Sequence, residues 1–178
     1  PVLIVGYGRV GELVGDLLAE HAVPYVAVDS DTKLVTKLRD QGRTVWYGDA
    51  ARPEFLHRCG LDEARALVVT MDARDKVSEV VRTARALRPD LVVIARARDA
   101  RHAAELYALG ATDAVPETTE ASLQLAENTL VDVGVPMGLV LATIHEKRDE
   151  YRRLFQEKAG GGRVTRALRA IRADGTNG

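Results

Sequence analysis

The chain has 178 residues, 46% of them hydrophobic and 29% charged, with a formal net charge of −1 and a single cysteine. That balance argues against a general nucleic-acid binder, which carries a basic excess. Cys59 by itself excludes an internal disulfide and suits a reducing compartment, and no apolar run reaches the length of a membrane span. The size supports one ordinary core without staples. The sequence opens on Pro1, directly at its first strand and without an initiator Met, so it is expected to be a piece of a longer protein.

The first stretch, Val2-Leu3-Ile4-Val5, reads as a short buried strand running into Gly6-Tyr7-Gly8-Arg9-Val10-Gly11. A strand followed by Gly-x-Gly-x-x-Gly and a helix is the fingerprint of a dinucleotide-binding βαβ unit. Gly6 permits the tight turn, Gly8 lets backbone approach a pyrophosphate, and Gly11 lets the helix pack close to the sheet. The free N–H groups and positive dipole end of that helix would hold phosphate. Leu13, Val14, Leu17 and Leu18 recur at helical spacing up to His21. Pro24 introduces the strand Tyr25-Val26-Ala27-Val28-Asp29; a helix from Thr32 to Gln41 follows, stopped by Gly42.

The alternation continues with a strand at Thr44-Val45-Trp46-Tyr47 and a short helix from Pro53 to Gly60. Ala66-Leu67-Val68-Val69-Thr70 is a fourth strand, and Val77, Val80, Val81, Ala84 and Leu87 mark the helix after it. Leu91-Val92-Val93-Ile94-Ala95 is a continuous apolar run typical of a parallel sheet covered on both faces. Ala103, Leu106 and Tyr107 mark a helix closed by Gly110, and Asp113-Ala114-Val115 forms a sixth strand. The fold class is therefore α/β, a Rossmann-like doubly wound parallel sheet of six strands over residues 1–116.

Residues 117–159 read as a helical extension. Its first helix, Glu117 to Val133, carries Leu123, Ala126, Leu130 and Val133 on one stripe with Leu125 and Val131 beside it, a pattern shared by a sheet-covering helix and an exchanged dimer helix. Gly134 and Pro136 interrupt it before a second helix from Gly138 to Lys158. Residues 160–178, opening on Gly-Gly-Gly, read as a flexible tail.

Candidate ligand-binding residues follow from the strand ends. The glycine-loop residues Gly6, Tyr7, Gly8, Arg9, Val10 and Gly11 form one group. Asp29, with Ser30 after it, stands somewhat over twenty residues beyond Gly6, where a carboxylate takes the adenosine ribose hydroxyls and repels a 2′-phosphate. NAD(H), AMP or another adenine nucleotide is thus expected and NADP disfavoured. Asp31 suits a cap on the following helix better than a ligand role. Asp49 and Ala50 end the third strand, where Asp49 could accept from an adenine amino group or serve as a local turn residue. Thr70 and Met71 end the fourth strand on the same rim, with Asp72 after them. Arg9, Arg96 and Arg98 form a candidate set for a second, anionic ligand. Pairing with nearby acids is the alternative role, weighed more heavily for Arg98 than for Arg96.

No zinc helix, nucleophile elbow or catalytic Lys-Tyr spacing is present: His145-Glu146 lacks a second His, and Cys59 lacks a metal partner. A hydride-transfer enzyme also needs a substrate-holding region, and only two helices and a tail remain after the sixth strand. No catalytic or metal residues are assigned.

Taken together, Gly6-Tyr7-Gly8-Arg9-Val10-Gly11, Val28-Asp29-Ser30-Asp31, Tyr47-Gly48-Asp49-Ala50 and Ile94-Ala95-Arg96-Ala97-Arg98-Asp99 resemble the RCK domain, also called KTN or TrkA-N. More narrowly they resemble the cytosolic domain of glutathione-gated, Kef-type potassium-efflux antiporters, from about Val2 to Phe155 and including Tyr151-Arg152-Arg153. The resemblance implies a non-catalytic regulatory module that dimerises through the helix after the sixth strand. It implies a nucleotide at Gly6, Gly8, Gly11, Asp29 and Asp49, and glutathione or an adduct near the dimer interface at Arg9 and one of Arg96 or Arg98. It also implies a membrane-embedded antiporter domain N-terminal in the same polypeptide, placing this module at the cytoplasmic face of the inner membrane. The family's Asn just after the Arg-Arg of the last helix is absent here, where the chain reads Leu154-Phe155-Gln156. The alternatives are a fragment of an NAD-dependent oxidoreductase and a stand-alone peripheral subunit of a potassium uptake channel.

Overall fold

Six short, β-branched and apolar segments pair side by side in the computed structural model, which describes residues 1–160. The strands are β1 (Val2–Val5), β2 (Tyr25–Asp29), β3 (Val45–Tyr47), β4 (Ala66–Val69), β5 (Val92–Ala97) and β6 (Asp113–Pro116). All pairings are parallel, in the order β3-β2-β1-β4-β5-β6. This is the doubly wound arrangement, whose order reverses between β1 and β4 and opens a crevice beyond the strands' carboxyl ends. The helices are α1 (Arg9–Glu20), α2 (Thr32–Asp40), α3 (Pro53–Arg58), α4 (Arg74–Leu87), α5 (Ala100–Leu109), α6 (Glu117–Asp132) and α7 (Met137–Gly160).

Because alternate strand residues face opposite sides, the sheet divides two apolar layers. Val2, Ile4, Ala27 and Val45 pack under α1 and α2 with Val14, Leu18, Val35 and Leu38. Leu3, Val5, Val28, Leu67, Val69, Val93 and Ala95 face the other way, against α3, α4, α5 and the end of α7. The first layer stops short. Among the described residues no helix covers the α1 side of β4–β6, and Val92 and Val115 stand exposed, as do Leu13 and Leu17 on the flank of α1. The helical repeat of Leu13, Val14, Leu17 and Leu18 thus divides, with only Val14 and Leu18 turned inward.

Boundaries differ from the sequence reading where charge or glycine masked the pattern. The α1 helix starts at Arg9 within the glycine loop rather than beyond it, and β5 runs through Arg96 to Ala97 rather than stopping at Ala95. A 3-10 turn at Leu61–Glu63, not expected from the sequence, links α3 to β4. Among the described residues no helix is long and apolar enough to cross a membrane. The tail read from residue 160 lies, beyond Gly160 itself, outside the described residues.

The α6 helix does not lie over its own sheet. It packs on α7 through Leu123, Val140 and Ile144, with Glu120 bonded to Arg148 at 3.1 Å. The α7 helix then returns to α5, where Phe155 enters the main core and stacks on Tyr151 at 6.1 Å between ring centroids. Arg152 reaches Asp113 at 3.4 Å, and the same carboxylate accepts from the Tyr107 hydroxyl at 2.8 Å. If this docking holds the extension to the domain, Phe155→Ala should lower the unfolding free energy by about 3 kcal/mol in urea titration. An unchanged midpoint would show that α7 stands apart from the core.

Candidate functional site

The site begins at the junction of β1 and α1. Gly6 sits at φ +93°, a conformation a side chain resists, and turns the chain sharply out of the strand. The Thr70 hydroxyl donates to the Gly6 carbonyl at 2.6 Å, and the Gly6 N–H donates to Val28 O at 2.9 Å. A Cβ on Gly6 would lie 2.8 Å from Thr70 Oγ1 and 2.9 Å from Met71 Cγ, and one on Gly11 would run into the Gly6 carbonyl. Both glycines are therefore required by the protein's own packing.

Gly8 is different. Its φ of −75° is open to any residue, it is exposed, and a Cβ there meets no atom within 4 Å. It caps α1 with no side-chain acceptor, so the first-turn N–H groups of Arg9, Val10 and Gly11 have no partner among the described residues. Three unsatisfied donors at a positive dipole end are what a phosphate needs.

Asp29 ties this loop to β2. Its Oδ2 accepts the Tyr7 N–H at 2.8 Å and its Oδ1 accepts the Asp31 N–H at 2.9 Å, which leaves lone pairs directed to the mouth of the sheet. Asp31 caps α2 by accepting from Lys33 and Leu34 N–H. A cleft of about 730 Å³ opens between these elements. Of the residues the sequence singled out, Gly6, Gly8, Arg9, Val10, Gly11, Asp29, Ser30, Thr70, Met71 and Arg96 line it.

Four others do not line the cleft. Tyr7 turns into the core, where its hydroxyl shares a 2.8 Å hydrogen bond with Tyr25 and burial pushes it up to about 12. Asp49 accepts the Ala51 N–H at 3.0 Å through Oδ1, a turn role that can coexist with a ligand role, and Ala50 is buried in the main core. Arg98 stands just past the end of β5 and lines a second cavity, of about 420 Å³, with Met71, Asp72, Ala73, Arg96, His102 and Glu117.

The expected weighting of the two arginines reverses. Arg96 is the committed one: Nη1 donates to Thr70 O at 3.0 Å, Nη2 pairs with Asp72 at 2.9 Å and Nε pairs with Glu117. The Arg98 and Arg9 guanidinium groups have no ion pair among the described residues. Asp31, Leu34, Asp72, Ala73 and Lys76 also line the cleft. Of these, sequence reasoning placed Asp72 only on the rim and gave Asp31 only a capping role, and it passed over the other three. All five follow a strand's carboxyl end within the next loop or helical turn, which was the available signal.

His102 is buried between α4 and α5. Its Nδ1 accepts the Arg98 N–H at 3.0 Å and its Nε2 shares a hydrogen bond with Ser78 at 3.2 Å, while burial, and then the nearby Arg74, hold its pKa below the ordinary histidine value. Among the described residues no group of three or more His, Cys, Asp or Glu could hold a metal. The glycines give a paired test of this geometry. Gly6→Ala should destabilise the fold by at least about 1 kcal/mol through its positive φ and crowding, whereas Gly8→Ala should stay within about 1 kcal/mol of wild type. Equal melting shifts for the two would contradict it.

The comparisons with known proteins follow the same landmarks. The family model described as TrkA-N domain matches residues 2–117, which is the sheet from its first strand to the first residue of α6. The K(+) efflux antiporter KefB of Alkalimonas amylolytica is 38% identical over 160 residues, 89% of this chain. The chain spans 24% of that relative and 13% of the chloroplastic K(+) efflux antiporters 1 and 2 of Arabidopsis thaliana. Among solved structures, the Shewanella denitrificans Kef CTD in an AMP-bound form superposes with a TM-score of 0.74 at 31% identity, covering 89% of this chain and 97% of that one. The GsuK channel bound to NAD gives 0.67 at 25% identity, covering 75% of this chain and 24% of that one. Matched by that family model over residues 2–117, well over half of its length, this chain belongs to the TrkA-N domain family.

Proposed function

We propose that this chain is a non-catalytic, nucleotide-sensing regulatory domain that gates a potassium efflux antiporter. The observation that carries the reading is Gly8. Nothing among the described residues requires glycine there, yet its position leaves bare backbone facing a cleft with N–H donors that no described residue satisfies. A ligand that approaches backbone closely supplies the missing reason. Support for an adenine nucleotide comes from relatives solved with AMP and with NAD. Asp29, with Asp31 beside it on the cleft wall, sets negative charge where a 2′-phosphate would fall, which disfavours NADP.

The non-catalytic part rests on how the cleft's polar side chains are used. Asp29 and Asp31 serve backbone N–H groups, Thr70 serves the Gly6 carbonyl, and Asp72 pairs with Arg96. They set geometry rather than stand ready to move a proton. A second ligand of the glutathione type belongs to this reading, with Arg9 and Arg98 as its unpaired cations and Arg96 between them.

The gating part needs two states and a partner. A homodimer is supported by apolar surface on two sides of the chain: Leu125 is 71% exposed and Leu139 61% on α6 and α7, and Leu13 is 58% exposed beside the open half of the sheet. A second copy laying its α6 over that open half would cover both. The membrane domain is the remainder of an antiporter of the kind this chain resembles, with this module at the cytoplasmic face. A nucleotide that prefers one dimer arrangement shifts the antiporter's closed and open populations, through a coupling of about 1–3 kcal/mol.

Two measurements test this reading. AMP at a hundred times its Kd should raise the unfolding free energy of the wild-type chain by about 2.7 kcal/mol, NADP should raise it far less, and Gly8→Ala should abolish the gain. In sedimentation the chain should be a dimer, and Leu125→Lys with Leu139→Lys a monomer. A wild-type monomer that no adenine nucleotide stabilises would sink the proposal.

A further inference from the structure

Arg96 lies between two cavities and belongs to both. The 730 Å³ cleft and the 420 Å³ cavity share Met71, Asp72, Ala73 and Arg96, with the glycine loop and Asp29 on one side and Arg98 and His102 on the other. The side chain is anchored at three separate places in the fold: the Thr70 carbonyl at the end of β4, Asp72 in the loop before α4, and Glu117, the first residue of α6. It is only 24% exposed.

That position matters because of how the two nucleotide classes differ in length. Resting on the reading that phosphate sits at the α1 N-terminus, one nucleoside reaches toward Asp29 at the end of β2. A mononucleotide ends there. A dinucleotide carries a second nucleoside across the pyrophosphate, and in a doubly wound sheet it has to pass beyond the ends of β4 and β5. Those ends are where Arg96 is held, with the second cavity behind it.

We propose that the Arg96–Asp72–Glu117 bridge is the specificity element of this site, admitting adenine mononucleotides and opposing dinucleotides, which enter only by displacing Arg96. Displacement strips the guanidinium of its carbonyl and both carboxylates, and leaves Asp72 and Glu117 to find water. The cavity behind already has a cation in Arg98, without an ion pair among the described residues and with its backbone N–H fixed by His102, so a dinucleotide that opened the bridge would meet a formed chamber. Arg96 is thus a positioning residue between two halves of one site.

Calorimetric titration of the chain with AMP, NAD⁺ and NADH tests the bridge. Arg96→Ala should raise the affinity for NAD⁺ and NADH relative to that for AMP about tenfold, the scale of two partly exposed ion pairs and a hydrogen bond. Glu117→Gln keeps Arg96 with one charged anchor fewer, and should shift the dinucleotide-to-mononucleotide ratio the same way by about threefold. This second variant decides the matter should Arg96→Ala fail to fold. An unchanged ratio in the variants, or loss of AMP binding in Arg96→Ala, would overturn the bridge as a selector and make Arg96 a phosphate ligand or a bystander. Wild-type chain that binds neither class would instead overturn the nucleotide-sensing reading, and the bridge with it.

Discussion

Everything at the mouth of this sheet depends on one crowded carbonyl, that of Gly6. The Thr70 hydroxyl donates to it from β4's end, and Gly11 of α1 packs against it with no room for a Cβ. This contact joins the two strands on either side of the topological switch point to the helix that starts there. It fixes the height and tilt of the first turn of α1, and so the direction of the free N–H groups of Arg9, Val10 and Gly11. Asp29 completes the frame from the other side by accepting the Tyr7 N–H. The geometry proposed to take phosphate is thus held by backbone and one hydroxyl, and the exposed Gly8 can be bare without loosening it.

Much of this was legible in the sequence because the information is local. The strand-to-glycine-to-helix spacing fixed Gly6, Gly8, Gly11 and Asp29 in register, and the cap at Asp31 followed from its place before Thr32. The six strands were each found within a few residues, since buried parallel strands are short apolar runs bounded by turns. Two kinds of placement were not legible. Tyr7 and Ala50 were drawn to the site by proximity in sequence, but a side chain one position along a loop can face the opposite way: Tyr7 enters the core and Ala50 is buried. Arg96 and Arg98 were correctly placed at a strand end, yet the partners of Arg96 come from residues far along the chain. Glu117 is twenty-one positions from Arg96, and no periodicity shows that α6 starts beside β5. Ala73 and Lys76 needed the strand order before they could be assigned to the rim.

The unequal covering of the sheet connects the site to assembly. The α1 and α2 helices cover the side of β1, β2 and β3 on which they lie, while the same side of β4–β6 is left to Ile94, Val92 and Val115. With α7 folded back onto α5 on the opposite side, the described residues supply no further helix for this face. The α6 helix, which could have covered it, instead presents Leu125 and Val133 outward. The periodicity of α6 left a sheet-covering and an exchanged helix open, and the structure shows that it does not cover its own sheet. The open face and the outward helix are complementary in chemistry, which is what an exchange between two copies needs.

Arg96 lies where these two themes meet, and stability does not account for it. Partly exposed ion pairs contribute about 0–1 kcal/mol each, so a bridge to Asp72 and Glu117 adds little to a fold already held by two apolar layers. Its geometry is the more informative property. The bridge spans the rim of the nucleotide cleft and ends on the first residue of α6, so a ligand that moves Arg96 also releases Glu117 at the root of the helix proposed to join two copies. Glu117 is an acidic residue in the first turn of α6, where the positive end of the helix favours its carboxylate whether or not Arg96 holds it. A small local exchange of partners is then enough to make the cleft and the α6 root respond to the same ligand.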